Sequence, residues 1–316
     1  MYMTKRKLLQ RCLMVPPLLV GVILIAVLFR PKAEVALTSA PFEVFQGIPY
    51  CVREGTLYRY EDIGWVHAGY TETIGQLISG DALCAVDVDG NVACERDYTV
   101  MPDKMGLTGA YYWEMARQLI VLNQTIPFVE ISGDFEHGAR ALLEDGSILL
   151  PIEDHYEQYT MEEPPIALSG DFILTEKGNV YQLSCELGIE NRAPDLRCIY
   201  DGEDITAINS LPGTGQCLGI TKKGGVISWN ETGIVKFDIP FVSSWTDVVM
   251  VKQGFHFALA LTKAGEVLYA DSDAENTERI GRELDKWRDI ANISISGMTV
   301  YGLQSDGSCL SMEIKF

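Results

Sequence analysis

Ser169 to Leu183 reads SGDFILTEKGNVYQL: a glycine, an apolar run, a charged turn with a second glycine, then another apolar pair. Two short strands around a tight turn account for this pattern, because glycine tolerates the positive φ that hairpin turns need. The same frame of turn glycine, any residue and an apolar pair returns along the chain. It occurs as EGTLY at Gly55, DGNVA at Gly90, DGSIL at Gly146, KGNVY at Gly178, KGGVI at Gly224, AGEVL at Gly265 and DGSCL at Gly307. An apolar run precedes each turn, as in LCAVDV before Gly90 and FALALT before Gly265, and a further glycine precedes each run (Gly47, Gly80, Gly133, Gly170, Gly215, Gly254, Gly297).

From Gly55 to Gly307 the frame advances 252 residues in six steps, a mean of 42, with single steps between 32 and 56. A period of that length built from short strands predicts a β-propeller. The uneven steps argue against a solenoid, whose repeats must stack at a fixed offset. The expected fold is all-β, a seven-bladed β-propeller.

The stretch WTDVVMVKQGFHFALALTKAGEVLYA, with FVEISGDFEHGARALLEDGSIL and WRDIANISISGMTVYGLQSDGSCL in the same frame, resembles the repeat of the RCC1 (regulator of chromosome condensation) family of seven-bladed propellers. The resemblance covers roughly residues 44–316 and lies in the repeat frame, with no functional residue carried over. The family's second glycine-rich stretch survives only as traces, such as SWNETG at Ser228–Gly233 and IGQL at Ile74–Leu77. In style the chain is similar to bacterial members, among them a β-lactamase inhibitor protein, and a membrane-anchored type is expected.

The anchor is read from Cys12–Phe29, CLMVPPLLVGVILIAVLF, eighteen uncharged and mostly apolar residues. At about 1.5 Å per residue a helix of that length just spans a bilayer. Lys5, Arg6, Lys7 and Arg11 precede it and favour a cytoplasmic N-terminus. A cleaved signal peptide is the competing reading, with Thr38-Ser39-Ala40 as the cleavage site. Arg30 and Lys32, directly after the apolar run, suit an anchor better. The expected organisation is a cytoplasmic basic segment (1–11), a transmembrane helix (12–29), a linker (30–43) and the propeller (44–316) outside the cytoplasm.

The whole chain has 25 basic and 44 acidic residues. Six of the basic ones lie in the first 32 residues, which hold no acidic residue, so the remainder carries a net charge of −25. Nucleic-acid binding needs a basic surface to neutralise phosphates, so chromatin binding and nuclear residence do not follow from the resemblance.

Seven cysteines lie beyond the leader. Cys84 and Cys94 flank the Asp89-Gly90 turn and are expected to face each other across one hairpin. Cys185 and Cys198 bracket a polar loop that they could close, and Cys217 and Cys309 read as small apolar residues of the blades. The four histidines (His67, His137, His155, His256) show no metal or catalytic spacing. Asp87–Val92 lacks the distal glutamate of a calcium loop, and Pro212–Gln216 lacks the lysine of a phosphate loop. No catalytic residue, metal site or cofactor is assigned.

Two insertions offer a binding site. Gly109–Leu122, GAYYWEMARQLIVL, has apolar residues at helical spacing and presents Tyr111, Tyr112 and Trp113. Pro151–Pro165, PIEDHYEQYTMEEPP, is expected as an acidic loop with Glu153, Asp154, Tyr156 and Glu157. Together they suit a basic protein or peptide. The leading functional expectation is therefore a membrane-anchored, extracytoplasmic, non-catalytic interaction domain. An inhibitor of a secreted or periplasmic enzyme and a cell-surface carbohydrate-active enzyme are the alternatives. The C-terminal CLSMEIKF is expected to close the ring by pairing with chain from the N-terminal side.

Overall fold

The computed structural model describes residues 41–315 apart from 46, 62–63, 69–73, 80–82, 88–91, 95–121, 124–125, 127, 133–139, 153–154, 185–194, 212–214 and 231–241. The chain divides into two units, Met1–Ser39 and Ala40–Phe316, and every described element belongs to the second. The apolar run Cys12–Phe29 lies outside the described residues. Among those described, no helix is long and apolar enough to cross a membrane.

The described strands form seven antiparallel sheets, each built from strands consecutive in the chain. The first holds β1 (Phe42–Phe45), β2 (Ile48–Arg53), β3 (Thr56–Glu61) and β4 (Gly64–His67); the second β5 (Ile74–Ser79), β6 (Leu83–Asp87) and β7 (Val92–Cys94). The third holds β8 (Phe128–Ser132), β9 (Arg140–Leu143), β10 (Ile148–Ile152) and β11 (His155–Tyr159); the fourth β12 (Pro165–Ser169), β13 (Phe172–Thr175), β14 (Val180–Ser184) and β15 (Asp195–Tyr200). Then follow β16 (Ile205–Ser210), β17 (Gln216–Thr221) and β18 (Val226–Asn230); β19 (Val248–Gln253), β20 (Phe257–Thr262) and β21 (Val267–Asp271); and β22 (Ile290–Ser296), β23 (Thr299–Gln304) and β24 (Cys309–Glu313).

The core lies between sheets. Leu142, Ile148 and Leu150 meet Leu168, Ile173 and Leu183 of the next sheet, and Leu218, Ile220 and Val226 meet Val248, Val251 and Ala258. A strand sandwiched in this way is covered on both faces, so it reads as an unbroken apolar run instead of an alternating one. FALALT in β20 is buried at all six positions and FILT in β13 at all four. The first strands pack in series, β1 on β5, β5 on β8 and onward to β19 on β22, and β22 packs on β1.

One expectation needs correction. Residues 155–159 are not loop: β11 pairs with β10 from Ile148↔Tyr159 to Ile152↔His155 and is the last strand of its sheet. The C-terminal strand β24 pairs with β23, and its sheet contains β22, β23 and β24 among the described residues, with β1 in the first sheet; the chain before residue 41, which could pair with β24, lies outside the described residues. The first and last sheets meet through side chains, with Phe42, Val44 and Cys51 against Tyr301 and Leu303. Cys198 is exposed; Cys185, with which it could close the loop, lies outside the described residues. Cys84 and Cys94 are Cα partners in the β6–β7 pairing, as their symmetry about the turn predicts. A helix that the strand-based repeat frame does not anticipate, α1 (Ala274–Leu284), packs along β21 with Ile280 and Leu284 buried.

Candidate functional site

The hairpin at Gly178 forms as its sequence predicts, with Phe172↔Gln182 and Leu174↔Val180 in register. Its local chemistry recurs with variations. In the two Asp-Gly-Ser turns, the Ser147 amide donates to Asp145 at 2.9 Å and the Ser308 amide donates to Asp306 at 2.8 Å. These bonds hold the carboxyls of Asp145 and Asp306 below the usual aspartate range, the side-chain bond from Ser147 leading for the first and the Ser308 amide for the second. Glu163 is held down likewise, mainly by Asn179 and then by Lys177 and Thr175.

These turns share one end of their sheets with a second repeated feature. At the start of the first strand the register shifts in six sheets, between Ile74/Gln76, Phe128/Glu130, Pro165/Ala167, Ile205/Ala207, Val248/Met250 and Ile290/Asn292. Each shift leaves one residue outside the ladder, the arrangement of a β-bulge, which re-aims a side chain. Val129, Ile166 and Val249 occupy this position and are 52%, 46% and 41% exposed; Thr206 is also exposed, whereas Ala291 is buried. The bulges lie opposite the end of the second strand, just before the hairpin turn, as Val248↔Thr262 and Phe128↔Leu143 show. Backbone bonds tie the two features together, from Glu176 to Pro164, Lys222 to Asp204 and Lys263 to Asp247.

This end therefore combines exposed aliphatic side chains with charged turns. Glu144, Asp145, Glu162, Glu176, Glu203 and Asp247 are exposed there, against Lys177, Lys222, Lys223 and Lys263. Lys177 is already paired with Glu163 at 3.1 Å. The balance is acidic around an apolar set. An aliphatic residue in a strand reads from sequence as core, so Val129, Ile166 and Val249 were missed. Their common offset from the strand start is the signal that could have found them.

Between the first strands the polar groups serve the architecture. Gly170 donates to Ser132 at 2.8 Å, Ser210 to Ser169 at 2.8 Å and Gln253 to Asn209 at 2.8 Å, each from a backbone amide to a side chain of the preceding sheet. Glu43 accepts from Lys252 at 2.6 Å and from Ser294 at 3.0 Å, which joins β1 to both β19 and β22. Glu130 accepts the Leu168 amide at 3.0 Å. Burial pushes its carboxyl up to about 7, with that amide acting in the opposite direction.

Of the residues expected to form the site, Tyr156 and Glu157 are described. Tyr111, Tyr112, Trp113, Glu153 and Asp154 lie outside the described residues, as do His137 and residues 88–91 and 212–214 of the two weighed loops. Tyr156 is half-buried and packs against the layer of Phe128, Ile131 and Leu149. Glu157 is exposed on the outer strand of its sheet, 3.1 Å from His155. His256 stands in the turn between β19 and β20, in edge contact with Phe255. Cys217 is buried in the apolar layer between the fourth and fifth sheets, and Cys309 packs partly buried against the layer that holds Cys51.

No family model matches this sequence, and no curated protein matches it. Solved structures do match. The CRINKLY WD40 ectodomain of the receptor kinase ACR4 from Arabidopsis thaliana aligns with a TM-score of 0.53 at 11% identity, over 88% of this chain and 95% of that one. Human WBSCR16 aligns with a TM-score of 0.51 at 12% identity, over 80% of this chain and 83% of its own. Yeast RCC1 (Prp20), in a structure with Kap60, aligns with a TM-score of 0.45 at 13% identity, over 86% of this chain and 69% of that chain. With its series of antiparallel sheets, the likeness to the first two gives the chain a β-propeller fold.

Proposed function

We propose that this chain is a membrane-anchored, non-catalytic protein-interaction domain: a seven-bladed propeller of RCC1-like repeats, held outside the cytoplasm by a helix over residues 12–29. The observation that carries the interaction reading is the repeated bulge. It exposes Val129, Ile166 and Val249 at the same end of three sheets, among turns that are mostly acidic. An exposed apolar set with a polar rim is the usual composition of a docking surface. The partner is a basic protein or peptide with apolar side chains of its own. A net charge of −25 beyond the leader would steer such a partner over the roughly 8 Å that physiological salt allows.

Tyr111, Tyr112 and Trp113 remain proposed contacts, on the segment between β7 and β8. Glu157 belongs to a different surface, because the register Leu150↔Glu157 puts it midway along β11, away from the bulges.

The experiment is a quantitative pull-down in detergent with the full chain, followed by mass spectrometry. Val129→Asp and Ile166→Asp, separately and together, should lose at least tenfold of the captured basic partner while thermal unfolding stays intact. Retention of the same partner by the double variant would remove this surface. Resistance of the full chain to alkaline extraction from membranes, and release after residues 1–32 are deleted, tests the anchor separately.

A further inference from the structure

Cys51 lies on β2 and Cys309 at the start of β24, in the first and the last sheet. Both belong to one apolar layer: Phe42, Val44, Cys51, Tyr301 and Leu303 form its buried part, and Cys309 packs against them with Tyr58 and Trp65. Within their own sheets Cys51 is opposite Tyr58 and Cys309 is opposite Leu303, so both cysteines sit beside members of that layer. Both are free thiols, Cys51 buried and Cys309 partly exposed. Charge on Cys51 is felt at Cys309, whose thiol is pushed up to about 12 by burial first and by Cys51 second.

The junction they share is joined in part by side chains. At three other junctions the first strand donates a backbone amide to the turn glycine of the preceding sheet: Ile205 to Gly178, Val248 to Gly224 and Ile290 to Gly265. At the meeting of last and first sheets, the Gly307 carbonyl receives side chains, the Trp65 indole and the Arg53 guanidinium.

We propose that Cys51 and Cys309 form a disulfide that staples the first sheet to the last. The oxidant is a disulfide of low molecular weight or of a thiol–disulfide oxidoreductase. The Cys309 thiolate, the more accessible one, attacks that disulfide and expels one thiol, giving a mixed disulfide. Cys51 then attacks the Cys309 sulfur and expels the second thiol. Two thiol protons and two electrons leave with the two reduced thiols, and one S–S bond remains. Burial disfavours both thiolates in the closed ring, so the bond forms while the junction is assembling. A link between residues so far apart in the chain constrains the unfolded ensemble strongly.

The test uses the full chain, unfolded and refolded in mild detergent with a mixture of oxidised and reduced glutathione. Free thiols are then alkylated under denaturing conditions, and the digest is read by mass spectrometry. A linked pair of peptides carrying Cys51 and Cys309 is expected, and reduction should lower Tm by about 5–10 °C. Cys309→Ser should refold, yield no such pair and show a smaller fall in Tm on reduction than the parent chain. Cys51→Ser alters a buried site and serves as the second variant for the peptide readout. Recovery of Cys51 and Cys309 both alkylated, or each joined to another cysteine, would overturn the proposal. So would a Tm of the parent chain that is unchanged by reduction.

Discussion

Gly178 shows how one residue can serve two sheets. Its φ of +89° makes the turn, and a Cβ there would stand 2.9 Å from both the carbonyl carbon of Glu203 and the carbonyl oxygen of Ile205, where the next sheet begins. Gly178→Ala should therefore lose about 2–4 kcal/mol in urea unfolding, combining backbone strain with a clash against main chain. Gly281 provides the contrast. It sits inside α1, with no positive φ and with open space for 4 Å around the point where a methyl would stand. There alanine should stabilise by roughly 0.5–1 kcal/mol through helix propensity alone. Glu130 makes a pH prediction at the same scale. Its folded pKa, about 7, lies above the ordinary glutamate value of 4.5, so the folded state binds the proton more tightly. The resulting stability is fully present below pH 4.5 and is lost as pH rises through 7. Glu130→Gln keeps an acceptor for Leu168 and should flatten the stability slope between those values. At about pH 8 it should gain on the order of 2 kcal/mol by chemical denaturation, since the buried charge is gone.

At the scale of the element, α1 explains how a sheet can do without a fourth strand. The helix packs along β21, and its Ile280 and Leu284 enter the layer formed by Leu259, Leu261 and Ile293. Asp273 caps it, accepting the Glu275 amide at 2.9 Å. Asp273→Ala should cost about 1 kcal/mol, as capping losses do. Leu284→Ala leaves a cavity in a fully buried site and should cost about 2–5 kcal/mol. Calorimetry that ranked the two in the opposite order would mean that the helix is held by its cap and not by its apolar face. Sequence contained the helix signals, namely Asp273 before Ala274 and the Ile280/Leu284 spacing. They were obscured by a strand-based repeat frame. HYEQY in β11 failed for another reason. Its half-buried residues, Tyr156 and Tyr159, do not alternate at period two, so its strand character comes from pairing with β10.

For the whole molecule, the first strand is held by residues distant in sequence. Glu43 bonds Lys252 and Ser294, both more than 200 positions away. Glu43→Gln keeps the shape but leaves the partly buried Lys252 ammonium without its carboxylate. A loss on the order of 1–3 kcal/mol is expected, and the fall in Tm should be larger than for Glu61→Gln, whose pairing with Arg59 is exposed.

The sequence by itself determined where the hairpins fall, because turn glycines and flanking apolar runs act over a few residues. It also carried the acidity beyond the leader and the apolar run near the N-terminus. Tertiary structure alone decided which aliphatic residues are core and which are surface. Ile173 and Ile166 are both isoleucines in adjacent strands of one sheet, yet one is 1% and the other 46% exposed. That difference is set by a register shift against a neighbouring strand. It was equally unreadable in sequence that Cys51 and Cys309 would share a layer, since only the packing of the last sheet on the first brings the two ends of the repeat together.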